Sequence, residues 1–297
     1  MRAPGALSLA IVLAGCAGED ATAPLTPEPA IASDERLSFS SSRDGNLEIY
    51  SMHPDGTDAL RLTSHAGADH TADWSPTGRQ LAFMGHRDGD YEIYVMNADG
   101  TGLRQITHND THDGFPRWSP DGLQILFTSL RSGTFGIYVT GALGGTERRL
   151  SSGQTGDVGG AWSPDGSRIA FSSTRDGNVE VYVMQADGSN AVRLTNHIAE
   201  DGVRLAWSPD GSRIAFSSSR DGNDELYVIN VDGTGLTRLT DNPASDRYPA
   251  WSPDGRHLAF TSSRDRNDEI YVMSADGGGV TRLTFNNAND FLDSWRR

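Results

Sequence analysis

The chain has no lysine, and its 297 residues hold a single cysteine. All 25 basic residues are therefore arginine. They face 40 aspartates and glutamates, for a formal net charge of −15 at pH 7. A surface of that sign repels the phosphates on which nucleic-acid binding rests, so no nucleic-acid partner is expected. It repels anionic lipid head groups as well. Cationic partners and metal ions are favoured. One thiol cannot close an intrachain disulfide, so the fold must be held by other means. No apolar run reaches the ~20 residues that a membrane-crossing helix needs. Apolar residues nowhere keep the i, i+3, i+4, i+7 spacing of an amphipathic helix. G-x-S-x-G, the phosphate-binding P-loop and H-E-x-x-H are all missing.

What is present is a repeat. Trp74, Trp118, Trp162, Trp207, Trp251 and Trp295 are separated by 44, 44, 45, 44 and 44 residues. A constant period in the forties means one supersecondary unit used repeatedly, and such units bury their apolar faces only by stacking. From Trp162 the unit runs W-S-P-D-G-S-R-I-A-F-S-S-T-R-D-G-N-V-E-V-Y-V-M-Q-A-D-G-S-N-A-V-R-L-T. Four short runs rich in β-branched and aromatic residues alternate with Ser-Pro-Asp-Gly, Asp-Gly-Asn and Asp-Gly-Ser turns. The expected fold is all-β, a six-bladed β-propeller of four-stranded antiparallel blades. Leu37–Thr63 lacks a tryptophan strand, and 290–297 has only that strand. Pairing N-terminal strands with the C-terminal one makes the sixth blade and closes the ring, which removes exposed edges. Each tryptophan is expected to wedge between adjacent blades as core. Nothing in the repeat calls for a second copy, so a monomer is expected.

The motifs W-S-P-D-G, S-x-R-D-G-N-x-E-I-Y-V-M, D-G-T and R-L-T resemble the TolB-type propeller repeat, a relative of the WD repeat, over residues 37–297. No Trp-Asp dipeptide occurs, so these are WD-like rather than WD repeats. Neither the N-terminal α/β domain of TolB proper nor the hydrolase domain that follows a similar propeller in prolyl oligopeptidases is expected within these 297 residues. The resemblance implies fold more than function.

The N-terminus reads as an address. Arg2 precedes a nine-residue apolar stretch, Ala6 to Ala14. A short apolar core before small residues is a secretory signal. Leu13-Ala14-Gly15-Cys16 resembles the bacterial lipobox, which implies a signal peptide over 1–15 and lipidation at Cys16. Residues 16–36 are Ala-, Pro- and acid-rich and form the expected tether, with the lipid its only hold on the membrane. Ala17 stands where inner-membrane lipoproteins usually carry Asp. That implies an outer-membrane anchor, with the propeller in the periplasm or at the cell surface.

Three sets of residues stand out, the first as structure, since it recurs in five blades, and the other two as candidates for chemistry. First, Arg43, Arg87, Arg175, Arg220 and Arg264 each precede a glutamate (Glu48, Glu92, Glu180, Glu225, Glu269) by five residues, the spacing of a cross-strand ion pair beside a hairpin. Arg131 has Gly136 where the glutamate is expected, which marks a locally weaker or specialised blade. Second, Asp69, Asp113, Asp157, Asp201, Asp246 and Asp290 open the six inner strands. Converging at one mouth of the channel they would recruit a divalent cation such as calcium; as turn caps they would bond their own backbone. His65, His70, His108, His112 and His197 lie in loops on the same face. Oligogalacturonate lyases of the resembling type hold a divalent metal there, but solvated loop histidines are the simpler expectation. Third, Phe115, Arg117, Arg204, Arg247, Tyr248, Phe291 and Leu292 break the repeat on that face. Aromatic and arginine side chains on variable loops are typical binding anchors.

The functional expectation is a non-enzymatic envelope lipoprotein whose propeller binds a protein, peptide or glycan through one face, with no cofactor. The alternative is a metal-dependent carbohydrate lyase or hydrolase at the channel mouth.

Overall fold

The computed structural model describes residues 34–152 and 155–296. The signal peptide, the lipidated cysteine and all but the last three residues of the tether lie outside the described residues. Within them, strands make six four-stranded antiparallel sheets, and no helix is long and apolar enough to cross a membrane. Blade 1 combines Asp290–Trp295 with Leu37–Ser41, Glu48–Met52 and Leu60–Arg61. Blades 2 to 6 follow in chain order, each opening on an Asp and reaching a Trp five or six residues on. The closure is the expected one. Leu37 pairs with Trp295 and Ser41 with Asp290. Ser38 and Ser294 hydroxyls meet at 2.7 Å, and the Arg296 amide donates to the Arg36 carbonyl at 2.7 Å.

Each blade is built around one cross-strand aromatic pair. Phe39, Phe83, Phe127, Phe171, Phe216 and Phe260 oppose Tyr50, Tyr94, Tyr138, Tyr182, Tyr227 and Tyr271, with ring centroids 5.4 to 6.0 Å apart. The phenylalanines are fully or almost fully buried. The tryptophans are inter-blade wedges. Trp74 packs with Ile49 and Leu62 of blade 1 as well as Leu81 and Phe83 of its own blade. Trp118 does the same against Ile93 and Ile106 of blade 2. Burying each side chain contributes roughly 4–6 kcal/mol as an upper figure.

The inner strands are not regular. In blades 2, 3, 4 and 6 the register slips midway along the strand. The slip coincides with a residue at positive φ: Thr71 at 62°, Phe115 at 55°, Gly159 at 66° and Tyr248 at 58°. Blade 5 carries the one-residue insertion, and its inner strand shrinks to Ala206–Trp207 with an isolated Asp201–Ser218 bridge. There Gly202 takes the positive φ of 62°, and a Cβ on it would lie 2.8 Å from Leu205. The insertion frees Arg204 from strand pairing.

Candidate functional site

The first sequence expectation needs correction: the arginines do not pair with the glutamates five residues on. Ser41, not Arg43, is the cross-strand partner of Glu48. Arg43 lies in the turn beyond, where its Nε donates to Ser41 Oγ at 2.7 Å. That turns the guanidinium toward the inner strand, onto Asp290 at 2.8 Å. The same exchange holds around the ring. Arg131–Asp113, Arg175–Asp157, Arg220–Asp201 and Arg264–Asp246 close at 2.6 to 3.2 Å, and Arg87 pairs with Asp69. Each arginine also stacks over its blade's tyrosine at 4.6 to 5.1 Å from the centroid.

The six aspartates are fully buried, and each is committed to its own blade's arginine. Among the described residues no three His, Cys, Asp or Glu side chains are grouped to hold a metal. As a donor set for calcium the aspartates do not fit, because each is turned onto the guanidinium of its own blade and the six do not converge. Neither do they act mainly as turn caps. Asp69 is pushed up to about 7, chiefly by burial, against the pull of Arg87 and with Glu48 adding to the rise.

The glutamates form a second circuit toward the outer strand. Glu48, Glu180, Glu225 and Glu269 are fully buried and pair with Arg61, Arg193, Arg238 and Arg282 at 2.6 to 3.1 Å. Each also accepts from the threonine of the R-L-T motif, Thr63, Thr195, Thr240 or Thr284. Blade 3 explains its own departure. A Cβ on Gly136 would lie 2.8 Å from Arg149 Nε, so the arginine fills the glutamate's place. Arg131 then gains a second partner, Glu147.

Blade 2 keeps the glutamate but has Gln105 where the other four carry arginine. Glu92 is pushed up to about 7, first by burial. A carboxyl raised in the folded state takes a proton that the unfolded chain releases. Its folded protein therefore loses stability as pH rises from the ordinary glutamate value through about 7. Gln105→Arg is expected to supply the missing charge and add roughly 0.5–2 kcal/mol at pH 8, with little gain at pH 5. Thermal unfolding at the two pH values checks it; an equal gain at both would refute the ion-pair account.

The channel joins two unlike ends. At the tryptophan end a cavity of about 180 Å³ is ringed by all six tryptophans and the prolines of W-S-P. At the other end, where the inner strands begin, lies a larger mouth of about 430 Å³. Five of the seven residues expected on the binding face line this mouth: Phe115, Arg204, Arg247, Tyr248 and Phe291. Arg117 does not. Lying beyond the Phe115 kink, it faces the tryptophan-end cavity, with Asp73 at 3.9 Å. Leu292 is fully buried core.

Arg204 spans the channel. From blade 5 it donates to the Leu292 carbonyl at 2.8 Å and pairs with Asp293 of blade 1 at 3.2 Å; its other nitrogen reaches Thr71 of blade 2 at 3.3 Å. Its guanidinium lies 4.4 Å from the Tyr248 centroid and 5.9 Å from that of Phe115. Asp293, fully buried in its side chain, is raised by burial, and Arg204 is the first of the groups that pull it back. Sequence reasoning passed over Asp293. The available signal was a carboxylate two residues before a tryptophan, where the other blades have Ala72, Pro116, Gly160, Leu205 and Pro249. Of the five histidines only His70 lines the mouth. Burial, then Arg204, holds it down at about 4, so it is neutral at pH 7. It packs edge-on to Tyr91, which also contacts His86 and His112. The amides of His65 and His197 bond Glu48 and Glu180. His108 is exposed.

A family model described as TolB beta propeller domain matches residues 25–113, 70–159, 110–204 and 201–296. The chain belongs to the TolB β-propeller family. Among solved structures, a putative TolB from Agrobacterium tumefaciens is 25% identical, with a TM-score of 0.71 over 88% of this chain and 93% of that one. TolB from Acinetobacter baumannii is 21% identical with a TM-score of 0.77; 88% of this chain aligns to 66% of that protein, so this TolB-family chain spans just under two thirds of its length. An oligogalacturonate lyase in complex with manganese shares the fold at 17% identity and a TM-score of 0.59, over 85% of this chain and 74% of that one. No curated protein matches the chain.

Proposed function

We propose that the chain is an exported, lipid-anchored binding protein of the cell envelope, non-catalytic, which takes a protein, peptide or glycan partner at the mouth where the inner strands begin. One observation carries this reading. Thr71, Phe115 and Tyr248 are held at positive φ, a conformation that bulky and β-branched residues avoid, and all three line that mouth. Each such residue costs of the order of 1–3 kcal/mol, and strain of this kind collects at ligand-binding sites. The rigid ring of blades bears that cost and aims two aromatic rings into a concave, partly apolar site. TolB-family membership supports an envelope binding role. The Leu13-Ala14-Gly15-Cys16 motif supports the anchor. A lyase would need a metal donor set at this mouth, and the six aspartates do not supply one.

A photo-crosslinking residue placed at Phe291 in living cells is expected to yield discrete adducts, and the same residue at Leu123, on an exposed turn outside the mouth, none. Cys16→Ser is expected to move the protein to the soluble fraction and abolish fatty-acid labelling. Adducts from Leu123 alone would sink the mouth reading, and a Cys16→Ser protein that stays acylated would sink the anchor.

A further inference from the structure

Resting on the mouth as the binding site, the charges there specify the partner further. The mouth contains two arginines, but neither offers net charge to a ligand. Arg204 is neutralised by Asp293 at 3.2 Å and Arg247 by Asp268 at 3.0 Å. His70 is neutral. The charges left over are Glu200 and Asp224, both lining the mouth and both contributed by the blade 5 side. Among the described residues neither carboxylate has an ion-pair or hydrogen-bond partner. Facing them are apolar walls, Leu47 and Val179 together with the rings of Phe115, Tyr248 and Phe291. The field of the whole chain, with its net charge of −15, has the same sign as the two free carboxylates.

A second feature points to a ligand with hydrogen-bond acceptors. The Arg204 side chain is only 10% exposed, and its Nε is shielded from water with no partner among the described residues. Arg247 Nε is in the same state. A buried N–H without an acceptor costs about 1–3 kcal/mol. Peptide carbonyl groups would satisfy both.

We propose that the mouth binds a basic peptide segment, in which a lysine or arginine sits next to an apolar side chain: the cation meets Glu200 and Asp224, the apolar group packs on the rings of Tyr248 and Phe291, and backbone carbonyls accept from the two arginines. Cation–π contact with the same rings adds to the attraction for the basic group.

The test uses the full chain, solubilised in a non-ionic detergent, and three capped synthetic peptides: Lys-Phe-Lys-Leu-Lys, Ser-Phe-Ser-Leu-Ser and Glu-Phe-Glu-Leu-Glu. Calorimetry is expected to show the basic peptide binding at least about ten-fold tighter than the others, and more weakly as salt rises. The double substitution Glu200→Gln with Asp224→Asn is expected to remove about ten-fold or more. Since these two side chains bond to nothing, the variant should fold as the parent does. The control Asp187→Asn with Asp232→Asn, at exposed turns outside the mouth, is expected to bind as the parent does. If the control loses as much affinity as the mouth variant, the attraction is only the net charge and the proposal falls. It also falls if the basic peptide does not bind, or binds the mouth variant undiminished. Tighter binding of the serine or glutamate peptide, or of an N-acetylglucosamine oligomer, lost in Phe291→Ala, would overturn the basic-peptide assignment and leave the mouth as the binding site.

Discussion

Deleting residues 290–297 is expected to leave no cooperatively folded monomer at 25 °C. The deletion removes the inner strand of blade 1 and with it the strand pairing that closes the ring. Leu292 is fully buried and Trp295 nearly so. Such side chains contribute about 1.5–3 kcal/mol each, and more for a tryptophan. Arg43 would lose Asp290, and the inner strands of blades 2 and 6 would lose the strand packed between them. Leu37–Ser41 would become an unpaired edge in a chain with no disulfide to hold it. Domains of this size are stable by only about 5–15 kcal/mol, so the loss is comparable to the whole. Circular dichroism melting and gel filtration decide it. A truncated chain that melts as a monomer within a few degrees of the parent would show that closure does not hold the ring.

Arg204→Ala is expected to be more damaging than substitution of the mouth's other arginine, Arg247. It leaves Asp293 buried without its direct ion-pair partner, only the weaker pull of Arg117 remaining, a change that typically costs about 3–5 kcal/mol. At roughly 2–4 °C per kcal/mol for a domain of this order, the melting temperature should fall on the order of 10 °C. The deficit has a pH signature. The folded-state value of Asp293 already lies above the ordinary aspartate range, and losing Arg204 raises it further. The folded protein then binds a proton that the unfolded chain does not, so stability recovers as pH falls toward the unfolded value. The loss should be largest at pH 8 and clearly smaller at pH 5. The double variant Arg204→Met with Asp293→Asn should regain most of the stability, because no lone charge remains. A loss equal at both pH values, or a double variant no better than the single one, would contradict the role of Arg204 as the partner of buried Asp293.

The arginine pairing shows how far spacing arguments reach. Arg43 and Glu48 recur at a fixed offset, and the offset correctly marked both as structural. Their actual partners, Asp290 and Arg61, are 247 residues ahead of Arg43 and 13 after Glu48. Direction within a turn, not distance along the chain, chose them. Ser41 Oγ holds Arg43 toward the inner strand, while Glu48, opposite Ser41, turns to the outer strand and accepts from Arg61. The aspartates behave alike. Their recurrence before each tryptophan was visible, but whether they would converge on an ion or turn into their own blades was a question of side-chain direction.

Blade number, strand count and the shared closing blade were determined by the sequence alone, because a 44-residue period with Asp-Gly turns admits few ways to bury its apolar faces. The sequence also marked five residues that line the mouth, Phe115, Arg204, Arg247, Tyr248 and Phe291, because residues that break a repeat on one face of a rigid ring are free of the repeat's packing duties. Arg117 and Leu292 were the exceptions: a backbone kink at Phe115 reverses which way the residues beyond it point, and Leu292 is taken into the core. The tertiary structure alone decided that Arg204 crosses the channel to Asp293, that Glu92 lacks its cation, and that Glu200 and Asp224 are the charges left unpaired at the mouth. These depend on which way side chains turn and, for Arg204 and Asp293, on ring closure, which brings residues 89 positions apart in the chain within a few ångströms.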